Sequence, residues 1–373
     1  MMKLNRSGCH YLYYQLFWVI VLFLLNTNCN AQSKLLPGFD KEEYAELLKT
    51  YQRHYDQVKT DFPLPVKFKS VYRSPVVGLE NRWDLWIDDR SVALINLRGT
   101  TKESISWLEN FYMAMVPATG ELKLTNNFTF KYHLADNPKA AVHTGWLIGM
   151  AFLARDILPK IDSCYKSGIR DFLIMGHSQG GALTYLLTSN LYDLQKQKIL
   201  PADIRFKTYC SAGPKPGNVF YAYEYENLVA GGWGYNVINA ADWVPETPFS
   251  IQTLNDFNVT NPFINADAII KKQKFITRLA LRHAYKGLKK PSEKAQRNYQ
   301  KYLGNYASKI VMKSLPEFQP PVYVNTSNYA RTGPTIVLLP DADYYKLFPD
   351  SKENVFVHHF LQPYLYLLEK YNH

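Results

Sequence analysis

The chain has 373 residues, of which 47% are apolar, 15% aromatic and 20% charged, and its net charge is +11. This composition is too apolar for a disordered chain, and the length allows one large domain or two ordinary ones. Four cysteines in a chain of this size exclude a scaffold built on disulfides. The basic excess by itself is compatible with nucleic acid, an anionic membrane surface or an acidic substrate.

Residues 1–31 have the features of a secretory signal peptide. Lys3 and Arg6 precede an apolar run that is densest over residues 16–25, and the small-x-small ending predicts cleavage after Ala31. An uncleaved membrane anchor and a lipid attached to Cys29 are the alternatives. Lys3 and Arg6 are the only charged residues of the segment, so cleavage would leave a net charge of +9. We therefore expect a secreted or periplasmic protein.

Helical and strand patterns alternate along the rest of the chain. Apolar spacing predicts helices over residues 40–59, 102–115, 144–163, 179–197 and 361–371. Strands are predicted over residues 68–77, 83–88, 92–97, 128–134, 171–175, 204–210 and 235–239, with last sheet elements at 337–339 and 355–357. Buried strands that alternate with helices predict a mostly parallel sheet with helices on both faces.

Residues 250–335 interrupt this alternation and are predicted to be a helical insertion within a single domain of residues 32–373. Residues 271–313 contain thirteen basic residues and one acidic residue, Glu293. They are interpreted as two amphipathic helices that separate near Pro291. The inward face of the second is predicted to consist of Ala295, Tyr299, Tyr302, Leu303, Tyr306 and Ile310, and that of the first, less clearly, of Ile269, Ile276, Leu279, Ala280 and His283.

Three interpretations of this basic segment stay open. It is a solvated cover packed on the domain, an element that lies on an anionic lipid surface, or a nucleic-acid-binding element. No recognised nucleic-acid-binding motif accompanies the charge, so no nucleic acid partner is expected.

The strongest motif is a G-x-S-x-G sequence between an apolar strand and an apolar helix, over residues 172–187. This context is typical of a nucleophile elbow, in which Ser178 occupies a strained conformation at a sharp turn. Gly176 and Gly180 would prevent clashes between the two arms of the turn. The elbow would present the Ser178 hydroxyl beside the free N–H groups of the following helix. The alternative is a glycine-rich structural turn.

The sequence around Ser178 resembles the class 3 lipases of the α/β-hydrolase fold, and several other segments resemble the same family. These segments are Asn96–Thr100 with its R-G-[ST] pattern, Trp107–Asn110, Val142–Leu147, Thr208–Asn218 with Lys215 and Pro216 in place of Arg and Val, and Asp242–Pro245 with its D-x-V-P pattern. The resemblance covers about residues 92–248. It implies an α/β-hydrolase with a mostly parallel central sheet and a serine esterase activity.

A serine nucleophile needs a base, and the base needs an orienting carboxylate. In this fold the acid follows the serine in the chain and precedes the histidine. Asp242 directly follows the strand predicted at 235–239 and lies in a segment matched to the family. Asp256, Asp341 and Asp343 are the other candidates, in less regular surroundings.

The candidate bases are His358 and His359. The other histidines precede Asp242, lie in the insertion or end the chain, and His177 in the elbow is expected to point away from the site. Residues 359–365 resemble the plant-type H-x-x-E-x-Y-L segment of the family, which favours His359, although Gln362 replaces the glutamate.

The oxyanion of the tetrahedral intermediate needs fixed hydrogen-bond donors. The N–H of Gln179, the residue after the nucleophile, is one. The resemblance assigns the second to Thr100, through its N–H and its hydroxyl. Thr100 is alternatively the N-cap of the helix predicted at 102–115, and both roles can hold.

A cover over the site has two candidates, the basic insertion and residues 101–116. The resemblance implies the second, because the lid of the family follows the R-G-[ST] segment. Trp107, Phe111, Met113 and Met115 would suit a mobile apolar surface, although core packing explains them equally well.

Cys164 and Cys210 are predicted to be free thiols. Cys164 ends a helix at the lower end of the nucleophile strand, and Cys210 ends a strand at the upper end of the sheet. The length of a strand, about 17 to 20 Å, separates them, and a disulfide cannot span that distance.

These features predict a secreted serine carboxylic-ester hydrolase of the lipase type that needs no metal or organic cofactor. Its substrate would be an acyl ester, and peripheral contact of residues 271–313 with an anionic lipid surface is one of the three interpretations that stay open for that segment. Phospholipids and ester-decorated polysaccharides are the rival substrates. The alternative outside the enzyme class is a non-catalytic surface- or lipid-binding module on a hydrolase scaffold.

Overall fold

The computed structural model describes residues 34–55 and 61–372. The predicted signal peptide, residues 1–31, lies outside them, and its cleavage stays a prediction. None of the helices in the described ranges is both long and apolar enough to cross a membrane.

Thirteen strands form three sheets in the described part of the chain. In chain order the strands are β1 (Phe68–Arg73), β2 (Trp83–Asp88), β3 (Ala93–Leu97), β4 (Met115–Pro117), β5 (Thr119–Thr125), β6 (Phe128–His133), β7 (Ala141–His143), β8 (Asp171–His177), β9 (Arg205–Ser211), β10 (Gly217–Asn218), β11 (Gly234–Asn239), β12 (Tyr329–Ala330) and β13 (Thr335–Leu338). The central sheet has the order β1-β2-β3-β8-β9-β11-β13 and is parallel from β3 to β13. The predicted mostly parallel sheet is therefore confirmed.

Helices pack against this sheet in two groups. The helices of the described ranges are α1 (Lys41–Gln52), α2 (Ser104–Phe111), α3 (Thr144–Lys166), α4 (Gln179–Lys196), α5 (Val219–Leu228), α6 (Ala266–Lys271), α7 (Phe275–Gln300), α8 (Ala307–Ser314), α9 (Ala342–Leu347) and α10 (Leu361–Lys370). Helix α4 contacts β3, β8 and β9, with α3 and α5 beside it, while α1 and α10 contact each other and the sheet. All seven residues of β8 are buried, as expected for a central parallel strand covered on both faces.

Two predicted elements are wrong. The helix predicted over 102–115 ends at Phe111, because residues 115–117 form β4 and pair with β7 instead. Residues 355–357, predicted as a last sheet element, form turns, in which the N–H of Val357 donates to the carbonyl of Asn354. The edge position of the sheet is taken by β13, which pairs with β11.

The predicted break in the basic insertion is also wrong, because α7 continues through Pro291. A proline inside a helix removes one hydrogen bond to the carbonyl four residues earlier, here that of Gly287. Gly287 is exposed, so this carbonyl stays accessible to solvent and the helix tolerates the loss.

The inward face predicted for the second half of the insertion is only partly correct. Outward-facing, roughly half-exposed side chains include three of the predicted ones, Tyr302, Tyr306 and Ile310. From Pro291 to Val311 the buried residues are Gln296, Tyr299, Gly304, Ala307, Ser308 and Val311. A π-helical turn over Lys301–Tyr306 adds a residue to the local repeat and shifts the inward face by one position. The inward face predicted for the first half of the insertion is wrong, because Ile269, Ile276 and Leu279 are exposed.

Both cysteines of the described ranges, Cys164 and Cys210, are free and buried, as predicted. Burial raises the pKa of each thiol, so neither is a reactive thiolate at neutral pH.

Candidate active site

Ser178 alone forms the turn between strand β8 and helix α4. Its backbone has φ 62° and ψ −132°, a strained conformation for a residue with a side chain. A Cβ at Gly176 would lie 2.2 Å from the carbonyl oxygen of Gly180, and a Cβ at Gly180 would lie 2.3 Å from that of Leu97. The turn therefore requires glycine at both positions, and it holds Ser178 at the carboxyl end of the parallel strands.

Asp242, shortly after β11, and His359, just before α10, form a hydrogen-bonded pair. His359 Nδ1 and the Asp242 Oδ2 atom are 2.7 Å apart, and the N–H of Val244 donates to Oδ1 at 3.0 Å. The hydroxyl of Tyr364 also donates to Oδ2, at 2.8 Å. Burial opposes ionisation of Asp242, but the neighbouring His359 and these hydrogen bonds outweigh it and lower the pKa of the carboxyl. An ionised carboxylate only accepts, so Nδ1 of His359 carries a proton.

Ser178 and the Asp242–His359 pair meet at one cavity of about 760 Å³, which Ser178 and His359 both line. Nε2 of His359 is buried and has no hydrogen-bond partner among the described residues. There is accordingly no hydrogen bond between Nε2 and the Ser178 hydroxyl, a contact that in many enzymes tightens only when substrate binds. In a neutral ring with its proton on Nδ1, Nε2 can accept a proton from a group in this cavity.

His358, the alternative base, has both ring nitrogens engaged elsewhere. Its Nδ1 lies 2.7 Å from the hydroxyl of Tyr344, and its Nε2 lies 2.9 Å from Oδ1 of Asp350. It does not line the cavity. The geometry therefore favours His359 over His358 as a proton acceptor at this site.

His177 was expected to point away from the site. Its ring is instead buried against that of His359. Burial lowers the pKa of His177 to about 3, so the ring is neutral. Since a carbonyl only accepts, Nε2 of His177 donates to the carbonyl of His359 at 2.8 Å, and Nδ1 accepts from the hydroxyl of Ser211 at 2.9 Å. Ser211 in turn lies 2.5 Å from the hydroxyl of Tyr44. His177 thus fixes the backbone that carries His359.

Gln179 and Thr100 each have a backbone N–H near Ser178 for which the described part of the chain offers no acceptor. Gln179 is the first residue of α4, so its N–H has no partner within the helix. Both residues line the cavity. The N-cap of α2 is Glu103, so the alternative role of Thr100 as the cap of that helix is not seen.

The neighbours of Thr100 in the loop after β3 have their N–H groups engaged. The N–H of Gly99 donates to the hydroxyl of Tyr51 at 2.9 Å, and the N–H of Thr101 donates to Oγ of Ser106 at 3.1 Å. Thr100 lies between them, and in the described ranges no residue accepts a hydrogen bond from its N–H. Of these three consecutive amides, only that of Thr100 is available to a ligand.

Asn110 determines the direction of the Thr100 hydroxyl. The indole N–H of Trp146 only donates, so its 2.9 Å partner on Asn110 is the amide oxygen. The Asn110 amide nitrogen then donates to the Thr100 hydroxyl oxygen at 2.9 Å. The hydroxyl proton of Thr100 is therefore left to be donated to another acceptor.

The other acidic candidates have structural roles away from the cavity. Asp256 forms a capping box with Thr253 and accepts a hydrogen bond from Thr326. Asp341 caps helix α9, and Asp343 forms an exposed ion pair within the same helix. None of the three lines the cavity.

The cavity walls are mostly aromatic and apolar, and α2 supplies part of them. The apolar lining residues include Tyr51, Tyr55, Trp107, Phe111, Met113, Trp146, Trp243, Val244, Phe249, Phe356 and Phe360. Trp107 and Phe111 of α2 are 37% and 50% exposed, and the Trp107 ring lies 6.2 Å from that of Phe356. Met115, by contrast, is completely buried. The predicted cover over 101–116 is therefore divided between a cavity wall and the core.

Three residues that shape the site were not singled out from the sequence: His177 as a support, Asn110 and Tyr364. Asn110 and Tyr364 lie inside two segments that resemble the family, Trp107–Asn110 and residues 359–365, but their contacts cannot be predicted from those segments. Gln362, which replaces the family glutamate, lines the cavity.

Glu109 is a buried acid directly behind this region. Its Oε2 accepts a hydrogen bond from Asn81 at 2.6 Å, whereas no described residue bonds to its Oε1. The carboxyl occupies the space beside Gly149, where a Cβ would lie 2.4 Å from Oε1. Burial raises the pKa of Glu109 to about 8, so this side chain is protonated at neutral pH.

We expect Glu109→Gln to stabilise the protein at alkaline pH. The native chain holds this proton up to about pH 8, whereas the unfolded chain releases it near 4.5, so wild-type stability falls as the pH rises between these values and stays reduced above them. Glutamine keeps an acceptor for Asn81 and has no ionisation to suppress. Thermal unfolding should show a gain of several kcal/mol at about pH 8.5 and little gain at about pH 5. Glu103→Gln, at an exposed glutamate, is the control, and equal gains at both pH values would contradict the prediction.

Comparison with known proteins gives matches to lipases. The model of the family "Lipase (class 3)" matches residues 94–252. The Lip2 lipase of Yarrowia lipolytica is 20% identical, with a TM-score of 0.42 over 58% of this chain and 79% of that one. Lipase II from Rhizopus niveus is 19% identical, with a TM-score of 0.40 over 56% and 74%. No curated protein sequence matches this chain.

A mostly parallel sheet flanked by helices, with a nucleophile elbow at the carboxyl end of its central strand, defines an α/β-hydrolase. The family model that matches residues 94–252 describes the class 3 lipases, so this segment of the chain is similar to that family of serine ester hydrolases. The resemblance drawn from the motifs is thus confirmed over this segment, which includes Thr100, Ser178 and Asp242 but ends before His359.

Proposed function

We propose that the protein is a secreted serine carboxylic-ester hydrolase of the lipase type, which cleaves the acyl esters of lipids. The observation that carries this proposal is the arrangement of Ser178 in a strained elbow and of the Asp242–His359 pair at one apolar cavity. Secretion rests on the signal-like residues 1–31.

In the first step Nε2 of His359 takes the proton of Ser178 while Oγ attacks the ester carbonyl carbon. The ionised Asp242 stabilises the imidazolium that forms and holds the ring by its Nδ1 proton. The tetrahedral intermediate then collapses, and the leaving alkoxide receives the proton from His359. Water, deprotonated by the same nitrogen, attacks the acyl-serine, releases the fatty acid and restores the Ser178 hydroxyl.

The developing oxyanion receives hydrogen bonds from the N–H of Gln179, the N–H of Thr100 and the hydroxyl of Thr100. Support comes from the free N–H at the start of α4 and from the loop after β3, where the amide of Thr100, unlike those of Gly99 and Thr101, is unengaged. The hydrogen bond from Asn110 leaves the hydroxyl proton of Thr100 available for this contact. Donors fixed in this way need no reorganisation during the reaction.

The lining of the cavity favours an acyl chain as the group that is bound. Aromatic and apolar side chains dominate the walls, and burial of a methylene group against such a surface is worth about 0.8 kcal/mol. A polysaccharide would instead require many polar partners for its hydroxyl groups. We therefore place lipid esters ahead of ester-decorated polysaccharides.

The proposal is tested with a fluorophosphonate probe and a series of p-nitrophenyl esters from acetate to palmitate. We expect the probe to modify Ser178, identified by peptide mapping, and turnover to rise with acyl length beyond the acetate. Heat-denatured protein is the control, because labelling requires the folded site. A folded protein that neither reacts with the probe nor hydrolyses any ester of the series would refute the proposal and favour a non-catalytic binding module.

A further inference from the structure

The insertion carries an amphipathic helical arm, which we define as residues 266–295. Over this range, helix α6 and the first five turns of α7 contain no buried residue, and the first buried residue of α7 is Gln296. Large apolar side chains are nevertheless present on the arm, including Ile276 at 81% and Leu288 at 77% exposure. A helix that serves only as a solvated cover would not expose side chains of this kind.

The charge of the arm is concentrated and unneutralised. The arm contains nine basic residues, all within residues 271–295, and two acidic ones, Asp267 and Glu293. None of the nine forms an ion pair with another described residue, and Glu293 forms none either; the two cation–π contacts, Arg278 over Phe275 and Lys289 over Tyr285, lie within the arm itself. The positive charge is therefore available to an external anion.

Basic and apolar side chains occupy adjoining sectors of α7. At 3.6 residues per turn, the basic sector spans about 120° and the apolar sector about 140°. The basic sector consists of Arg278, Arg282, Lys286, Lys289 and Lys290, and the apolar sector of Ile276, Ala280, Leu281, Ala284 and Leu288. Phe275 and Leu279 are exposed within the angular range of the basic sector at the start of the helix. In its last part Glu293 falls within the basic range, and Lys294 falls at the edge of the apolar one, in line with Ile276.

The part of α7 that directly follows the arm is attached to the wall of the cavity that contains Ser178. The ring of Tyr299 lies 5.3 Å from that of Phe249, and its hydroxyl lies 3.5 Å from the sulfur of Met113. Phe249 and Met113 both line the cavity. A surface that holds the arm would therefore lie near the entrance for substrate.

We propose that the arm binds an anionic lipid surface, with its apolar sector in the interface and its basic sector on the lipid phosphates. The charge pattern fits this partner because a helix of high positive charge with exposed apolar side chains gains both electrostatic attraction and apolar burial at such a surface. A nucleic acid would use the charge but leave the apolar sector in water. Binding of the arm to lipid does not depend on the proposed function. Only the benefit of such binding, which would bring lipid esters close to the cavity, rests on it.

Binding is measured with the Ser178→Ala protein, so that no hydrolysis alters the vesicles. Co-sedimentation with vesicles of phosphatidylcholine and phosphatidylglycerol is expected to exceed that with phosphatidylcholine alone and to fall with added salt. Arg278→Gln/Arg282→Gln/Lys286→Gln should weaken binding about 10²-fold, since each basic residue near such a surface contributes about 1 kcal/mol. Ile276→Ser/Leu288→Ser should also weaken it.

The matched control, Lys69→Gln/Lys131→Gln/Lys352→Gln, removes the same charge at exposed positions outside the arm and should bind as the parent does. Circular dichroism checks that each variant keeps its helices. Equal binding to both kinds of vesicle, or equal loss in the arm and control variants, would overturn the proposal. Tighter binding to a DNA duplex than to anionic vesicles would overturn the proposal in favour of a nucleic acid partner. If the protein is a dimer and the Ile276→Ser/Leu288→Ser variant is a monomer, the apolar sector contacts a second copy of the chain instead. If vesicle binding holds while no ester is hydrolysed, only the proposed function fails.

Discussion

Replacing Ser178 by alanine is expected to lower kcat/KM for soluble p-nitrophenyl esters by about 10⁶-fold, the order found when the nucleophile of a comparable triad is removed. The alanine keeps the backbone hydrogen bond from residue 178 to the carbonyl of Ser211, and it fits the same φ and ψ because no atom beyond Cβ is needed there. The loss should therefore arise from the missing nucleophile and not from unfolding.

Initial rates and thermal unfolding, measured on the same preparations, check this result. Ser167→Ala is the matched control, because Ser167 is an exposed serine at the end of α3. The control should retain full turnover. Turnover within about tenfold of the parent in the Ser178→Ala protein would rule out Ser178 as the nucleophile.

Asp242→Asn is expected to lower kcat by about 10⁴-fold while the fold is preserved. With its amide nitrogen toward His359, asparagine keeps the bond from the Val244 N–H, and the Tyr364 hydroxyl can turn to act as acceptor. The ring must then accept at Nδ1 and carry its proton on Nε2, so it cannot take the proton of Ser178. With the opposite orientation the negative charge is still lost and the N–H of Val244 faces another donor.

The test compares the hydrolysis rates of two variants, Asp242→Asn and Asp341→Asn. Asp341 is the control because it is also an aspartate, but it caps helix α9. Only the first should lose activity, with KM changed far less than kcat. Equal effects of the two substitutions would contradict the assignment of Asp242. Reactivity of Ser178 toward a fluorophosphonate should fall in parallel with kcat, because both depend on proton transfer to His359.

The elbow and the parallel sheet could be predicted from the sequence because they depend on local rules. Glycine two residues before Ser178 is required by the carbonyl oxygen of Gly180, four residues along the chain, whereas glycine two residues after it is required by the carbonyl oxygen of Leu97 on the neighbouring strand β3. The G-x-S-x-G pattern makes both glycines recognisable without knowledge of that second contact. A fully buried strand such as β8 has a continuous apolar run in its sequence. Such a run can be recognised without knowing which strands pair with it.

The errors in the insertion have two different physical causes. A proline inside a helix removes one hydrogen bond and often breaks the helix, but the freed carbonyl belongs to the exposed Gly287, and α7 continues past Pro291. The inward face after residue 300 moved because of a π-helical turn, which an assumed repeat of 3.6 residues cannot anticipate.

The sequence by itself determined the fold class, the position of Ser178 and the short list of acids and histidines, because elbow geometry and strand burial are local properties. The tertiary structure decided among the candidates on the list. His359 and not His358 meets Asp242, although 117 residues separate the partners, and His177 supports His359 across 182 residues. The tertiary structure also showed which part of the basic insertion is exposed and unpaired. Burial and ion pairing depend on what packs against a helix, so only the structure distinguishes the packed residues 296–314 from an exposed, unpaired arm before them.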